Sequence, residues 1–233
     1  MKNKPLIQRE SERFWRAGFT MVEILAVITV IAILMSVASV GIQKMDAGQA
    51  TGTAAAVSEA IFDEARGAAV GRGTRARVVI HNDPRADQRD RFLRYMAVCV
   101  EVEDGATMTW KFPSRGTTLP SGVFFDEDAT LAATTTVPEL GTYGTMIISL
   151  PGQRNNPVDC IYYEFNSEGV CVDGGVDGDT AGASPGAAFV LAGGVLPPNE
   201  DKPRVKGNNR TGFVVWRNGR SSIFRNPDHI TPN

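Results

Sequence analysis

The sequence contains few of the side chains on which most enzyme active sites depend. Its two histidines, His81 and His229, stand beside the Asn, Asp and Pro residues that are typical of loops. No serine lies in a nucleophile elbow, and no glycine-rich phosphate-binding loop is present. We therefore expect a protein that is not an enzyme.

An excess of positive charge is also missing. The formal net charge is −2, so the chain has no overall basic character of the kind that nucleic-acid binding favours. Basic residues do gather near the C-terminus: Arg204, Lys206, Arg210, Arg217, Arg220 and Arg225. Such a patch could bind phosphates with an affinity that falls as salt rises, and Arg217, Arg220 and Arg225 are its candidate residues. The other interpretation is a solvated basic face, because no aromatic platform beyond Trp216 accompanies these cations.

Charged side chains are absent from residues 24–42. Together with residues 19–22, this run approaches the roughly 20 apolar residues that span a bilayer. Basic residues outnumber acidic ones before it: Lys2, Lys4, Arg9, Arg13 and Arg16 against Glu10 and Glu12. This bias keeps the N-terminal segment in the cytoplasm and sends the rest of the chain across the membrane. We predict one membrane-spanning helix over residues 19–42.

Glu23 is the anomaly of this segment. A carboxylate within a spanning helix costs about 2.5–3.5 kcal/mol, so it usually has a partner and a function. No Lys or Arg follows Glu23 before Lys44, so no neighbour on the helix can pair with it. The partner must be a new α-amino group, another subunit or lipid headgroups.

Residues 18–23, whose sequence is GFTMVE, and the apolar run after them resemble the class III signal of type IV pilins and type II secretion pseudopilins. In that family a membrane peptidase cuts after the glycine and N-methylates the new first residue. The resemblance implies cleavage between Gly18 and Phe19, methylation of Phe19, and pairing of Glu23 with the terminal amine of an adjacent subunit. It also implies three partners: prepilin peptidase, other pilin or pseudopilin subunits and an inner-membrane assembly platform.

Two simpler interpretations compete with this resemblance. An ordinary secretory signal also has a basic start, an apolar run and small residues such as Ala38 and Ser39 near its end. The run is longer than usual for such a signal, and Glu23 is misplaced in one. An uncleaved signal anchor in front of a periplasmic β domain would fit the length and the charge bias alone.

The rest of the chain predicts an α+β fold, with a long N-terminal helix packed on a mostly antiparallel sheet. Val57, Ile61, Ala65 and Ala68 recur at helical spacing, so we predict an amphipathic helix over residues 43–72 that Gly71 and Gly73 end. Strands are predicted at 74–80, 92–102, 107–112, 123–125, 146–150, 161–165, 170–172, 187–191, 213–217 and 221–224. Exposed loops are predicted at 81–91 and 126–128.

The segments are thus a leader over residues 1–18, a membrane helix over 19–42, an amphipathic helix over 43–72 and a periplasmic domain over 73–233. The fold is pilin-like. Four short stretches are similar to H-type minor pseudopilins and T-type pilins: residues 65–69, 119–123, 165–169 and 218–220. The resemblance implies a single-pass inner-membrane protein that later enters a type II secretion or type IV filament. A DNA-binding minor pilin of an uptake apparatus is the alternative.

No cofactor is expected, with one weak exception. Asp173, Asp177 and Asp179 gather in a glycine-rich stretch, and their oxygens could hold Ca²⁺. The spacing is not that of an EF-hand, and a solvated Gly-Asp turn is the favoured interpretation.

Three cysteines would lie in an oxidising compartment if the topology is right. Cys160 and Cys171 are close enough in sequence to bridge. In a tight hairpin at 166–169, however, Cys171 would face Glu164, so the bridge needs an irregular register. Cys99 fits a buried small residue.

Overall fold

The structure is a computed structural model, and its described residues are 20–85, 89–136, 140–153, 156–172, 186–198 and 200–224. Within these ranges, the side chains of residues 37–48, 135, 136 and 206–208 are not described. The chain divides into two units, Met1–Lys44 and Met45–Asn233. Its fold is α+β, as predicted, with helical residues of the second unit packed on antiparallel sheets.

The helices and strands follow one another in this order: α1 Met21–Arg72, β1 Ala76–His81, β2 Tyr95–Asp104, β3 Thr107–Lys111, β4 Thr117–Thr118, β5 Val123–Phe125, α2 Glu127–Thr136, β6 Gly144–Ile148, β7 Val158–Phe165, β8 Cys171–Val172, β9 Gly186–Val195, β10 Arg204–Trp216 and β11 Ser221–Phe224. The strands β5 and β11 have their predicted bounds. Strand β10 begins well before residue 213, the start predicted from the sequence. The prediction missed this first part because a register shift between Val205 and Arg210 interrupts the alternation of apolar and polar residues.

Two sheets form the β structure of the second unit. Sheet A has the order β3-β2-β1-β7-β6, with β4 also paired to β2 and β8 to β7. Sheet B has the order β11-β10-β9-β5. All pairings between these strands are antiparallel, which confirms the predicted arrangement.

Helix α1 ends where the sequence predicted. The Gly73 N–H donates to the Val70 carbonyl at 3.3 Å, and the Thr74 N–H donates to the Ala69 carbonyl at 3.2 Å. Gly73 has a φ of +64°, so these bonds form a Schellman cap that requires a left-handed residue. Gly71, two residues before Gly73, lies inside the helix, so of the two glycines predicted to end the helix only Gly73 does so.

The main core lies between the second-unit part of α1 and the two sheets. Phe62 is at its centre, with ring centroids 5.1 Å from Tyr163, 5.2 Å from Phe189 and 5.1 Å from Phe213. The apolar stripe predicted from the sequence contains Ile61, the neighbour of Phe62, and not Phe62 itself. Its members Ile61 and Ala65 are buried, while its other two members are only partly buried against this core: Val57 and Ala68.

Strand β1 corrects the prediction of a half-buried strand followed by an exposed turn. It lies in the middle of sheet A and all six of its residues are buried, including Arg77 and His81. Asp83, two residues farther on, is 4% exposed. Buried clusters cover both faces of the sheet at this strand, with Val78 in one and Val79 in the other, and this burial overrides the alternation read from its charges.

Residues 126–128 are also not an exposed loop. Asp126 is 8% exposed, and its Oδ1 accepts the Ala129 N–H at 3.0 Å. This bond caps helix α2, which begins at Glu127 with two acidic residues in its first turn. The acidic run is therefore a helix start.

The possible bridge between Cys160 and Cys171 is not formed in the structure, where both residues are free thiols, as is Cys99. Cys171 pairs with Phe165 across the hairpin, and not with Glu164. Phe165 and Cys160 are an odd number of residues apart, so their side chains point to opposite faces of the strand. Cys171 accordingly packs in the main core, whereas Cys160 and Cys99 pack in a cluster on the other face of sheet A.

Candidate functional site

The first turn of α1 carries the candidate carboxylate, Glu23. The Glu23 N–H donates to the Thr20 hydroxyl at 3.2 Å, and the Ile24 N–H donates to the Thr20 carbonyl at 3.1 Å. Thr20 is therefore the N-cap, and Glu23 stands at the third helical position, where a carboxylate interacts favourably with the positive end of the helix. The sequence signal for this cap is Thr-x-x-Glu before an apolar run, which the sequence analysis missed.

The residues after Glu23 expose apolar side chains on every side of the helix. Their exposed fractions run from 45% at Ile31 to 69% at Met35. The polar hydroxyls among them are satisfied by the helix itself: Thr29 donates to the Leu25 carbonyl and Ser36 to the Ile33 carbonyl, each at 2.7 Å. A helix that is apolar all round, with its hydroxyls bonded internally, is suited to an apolar environment.

Within the described residues, no helix combines the length and the apolar character that crossing a membrane requires.

Several predicted site residues lie outside the described part of the chain. They are Gly18 and Phe19 at the expected cleavage point, Asp173, Asp177 and Asp179 of the expected calcium loop, and Arg225 of the basic patch.

The described basic residues near the C-terminus have different surroundings. Arg210 pairs with Asp126 at 2.8 Å, and Arg204 pairs with Glu200. Arg217 and Arg220 are exposed at the turn between β10 and β11. The described arginines of this region therefore divide into two that carboxylates already neutralise and two that face solvent.

Two pockets of the second unit meet at Phe124 and Gly194, which line both. The first has a volume of about 150 Å³ and contains the cations Arg210 and Lys202. Each of them already has a carboxylate: Arg210 pairs with Asp126, and Lys202 lies 3.2 Å from an Asp128 oxygen.

The second pocket, of about 350 Å³, contains two arginines of a different kind. Arg89 and Arg94 bond to backbone carbonyls, and among the described residues neither has a carboxylate within 4.0 Å. Burial lowers the pKa of the Arg94 guanidinium, and the Asp90 charge partly offsets this effect. Val195 and Leu196 add an apolar side to the pocket. This pair was not predicted from the sequence, because Arg89 falls in the predicted exposed loop at 81–91 and Arg94 in the predicted strand at 92–102.

Comparison with known proteins identifies the N-terminal segment. Residues 16–39 match the family model described as the prokaryotic N-terminal methylation motif. No curated protein and no solved structure matches the chain. The match supports a pilin-like substrate of prepilin peptidase, and it implies processing by that peptidase and assembly with other pilin subunits. The motif is typical of structural proteins that are anchored in a membrane and later enter a filament.

Proposed function

We propose that this chain is a minor pilin-like subunit of a type II secretion or type IV filament machine. The methylation motif at residues 16–39 is the observation that carries the proposal. In this proposal prepilin peptidase cuts between Gly18 and Phe19 and methylates Phe19. The mature protein is a single-pass inner-membrane protein whose β-rich domain lies in the periplasm, and it does no chemistry itself.

The described start of α1 supports the assembly step. Glu23 stands in the first helical turn. Cleavage after Gly18 would make it the fifth residue of the mature chain. Among the described residues, none makes a hydrogen bond or an ion pair with the Glu23 carboxylate, and the residues after it present apolar side chains. A carboxylate in apolar surroundings is tolerated when a cation pairs with it. The methylated terminal amine of a neighbouring subunit is that cation in our proposal.

The mass of the N-terminal peptide of the membrane-extracted protein tests the processing step. We expect a chain that begins with N-methyl-Phe19. An intact Met1 would instead identify an uncleaved signal anchor, and a start near Val40 would identify an ordinary secretory signal. Either result would contradict the proposal.

A pair of variants makes this measurement specific to the cleavage point. Gly18→Val places a bulky side chain where the peptidase must cut, so we expect the precursor mass. Met21→Leu changes one apolar side chain of the same segment for another and should leave processing intact. A mature mass for Gly18→Val would refute the predicted cleavage point.

A further inference from the structure

The pocket that contains Arg89 and Arg94 has two cations and one carboxylate, that of Asp90, which forms an ion pair with neither of them. Each guanidinium has five N–H donors. Arg94 donates to the carbonyls of Asp90 and Leu119, at 3.1 and 2.8 Å. Arg89 donates to the carbonyls of Pro84, Pro197 and Glu200. These bonds fix both side chains in position and leave donors on each guanidinium unused.

The carbonyl partners hold these arginines without neutralising them. A carbonyl oxygen accepts a hydrogen bond but carries no full charge, so it offsets only part of the cost of removing a cation from water. The Nε of Arg94 is buried and has no hydrogen-bond partner. The neighbouring pocket differs in this respect, because its arginine and lysine both pair with aspartates. The pocket of Arg89 and Arg94 is therefore suited to an anion that comes from outside the described residues.

The lining of the pocket indicates the kind of anion. Asp90 is its single carboxylate lining residue among those described, so the two arginines leave a net charge of about one unit for a ligand to neutralise. Phe124, Val195 and Leu196 supply apolar surface next to the charges, and Val195 is 50% exposed. A monovalent anion on an apolar stem matches both features better than a doubly charged, fully polar phosphate.

We propose that this pocket binds a carboxylate that is attached to an apolar group. Arg94 and Arg89 bind the carboxylate through charge-assisted hydrogen bonds, and the apolar group packs against Phe124 and Val195. The C-terminal residue of a polypeptide and a free organic acid share this chemistry. The site is independent of the processing and assembly of the N-terminal segment.

Titration of the isotope-labelled full-length protein in detergent micelles tests the proposal. The probe is N-acetyl-L-phenylalanine, and its neutral amide is the matched control ligand. We expect the acid to shift the amide signals of Gly122 and Gly194, which line the pocket, and to bind at least about tenfold more tightly than the amide. Inorganic phosphate should bind at least about tenfold more weakly than the acid. Equal binding of acid and amide, no saturable shift with the acid, or tighter binding of phosphate would overturn the proposal.

Variants locate the binding in this pocket. Arg94→Gln and Arg89→Gln should each weaken binding of the acid about tenfold or more. Arg91→Gln is the control, because Arg91 stacks on Tyr95 with its guanidinium carbon 4.0 Å from the ring centroid and does not line the pocket. Wild-type affinity in Arg89→Gln or an equal loss in Arg91→Gln would refute the assignment.

One further variant tests the site without removing an arginine on which folding could depend. Val195→Asp places a negative charge, the same sign as that of the ligand, at the half-exposed rim of the pocket, and it removes no bond from either arginine. It should reduce binding of the acid about as much as Arg94→Gln does, and unchanged affinity would contradict the site. Phenylpropionate then separates the two sources of ligand, because it lacks the backbone amide of the acetylated amino acid. Weaker binding of phenylpropionate assigns a polypeptide terminus, and equal binding assigns a free organic acid.

Discussion

Individual charges in this protein have very different environments. Arg77 and Glu164 are 6% and 5% exposed, and the Arg77 Nε donates to a Glu164 oxygen at 2.5 Å. The Arg77 guanidinium carbon also lies 4.2 Å from the Trp110 ring centroid and 3.8 Å from that of Tyr162. This pair is buried on the face of sheet A opposite the main core. Removing Arg77 would leave Glu164 buried with only the Arg75 guanidinium, 3.5 Å away, to compensate its charge.

Arg77→Met should therefore lower the free energy of unfolding by about 3 kcal/mol, in the range found for broken buried pairs. Urea unfolding of the full-length protein measures the change. Lys202→Met is the matched control, because it breaks an ion pair whose side chains are 73% and 75% exposed, and its cost should stay below about 1 kcal/mol. Equal costs for the two variants would show that the Arg77 pair is effectively solvated.

The buried thiols predict a dependence of stability on alkaline pH. Burial raises the pKa of Cys99 and Cys160 to about 12, whereas the unfolded thiols ionise near their ordinary pKa of 9.0. Below about pH 9 the thiols are protonated in both states and do not change the balance. Above it the unfolded chain loses protons that the folded chain keeps, so stability falls as pH rises towards 12.

Each of these two thiols should lower the free energy of unfolding by about 1.4 kcal/mol at one pH unit above its unfolded pKa. Urea unfolding at pH 8 and pH 10 measures the loss. The double variant Cys99→Ala and Cys160→Ala should show a smaller loss over the same interval. Buried tyrosines contribute in the same direction, since burial raises the pKa of Tyr95 and Tyr163. An identical loss in the double variant would rule out the thiols as a cause.

At the scale of helices and strands, local signals explain which predictions succeed. The end of α1 and the turn at Asn218 and Gly219 are predictable from the sequence, because a left-handed backbone position favours glycine and these positions have one. The burial of β1 is not predictable in this way. Its place between β2 and β7 depends on pairings with distant segments, and these pairings bury charges that its own alternation assigns to solvent.

The candidate site divides along the same line. The GFTMVE sequence and the apolar run are contiguous, so the methylation motif is visible in the sequence. The arginine pocket joins Arg89 and Arg94 to Gly122 and Val195, which are far apart in the chain. The contacts between these segments arise only when sheet B forms beside the turn at residues 89–94, so no pattern of neighbouring residues in the sequence predicts them.

The C-terminus of α1 offers two glycines for opposite predictions. A Cβ would meet nothing within 4 Å at either Gly71 or Gly73, so backbone conformation alone decides the effect of alanine. Gly71→Ala places a better helix former inside α1 and should stabilise the protein by about 0.5–1 kcal/mol. Gly73→Ala forces an L side chain into a φ of +64° and should destabilise it by about 1 kcal/mol. Thermal unfolding compares the two, and a shared sign would contradict the Schellman cap.

At the scale of the whole molecule, the two units have different requirements. The second unit buries its own core between α1 residues and two sheets. The described residues of the first unit bury no comparable core, and their large apolar side chains are about half exposed or more. The first unit therefore depends on its surroundings, which in our proposal are the membrane and then the neighbouring subunits of a filament.

Two possible roles for Glu23 in the transfer from the membrane to a filament predict different results. If its charge pairs with a neighbouring subunit, Glu23→Gln should reduce incorporation into filaments, because the amide keeps the shape but not the charge. If Glu23 only stabilises the helix start, Thr20→Ala should reduce incorporation as much, since it removes the hydroxyl that caps the helix at a cost of about 1 kcal/mol. The measurement is the fraction of processed protein in sheared filaments, normalised to the processed protein in the membrane. We expect loss in Glu23→Gln and near-normal incorporation in Thr20→Ala, with normal N-terminal masses in both. An equal loss in the two variants would refute the pairing role and leave Glu23 as part of the helix cap.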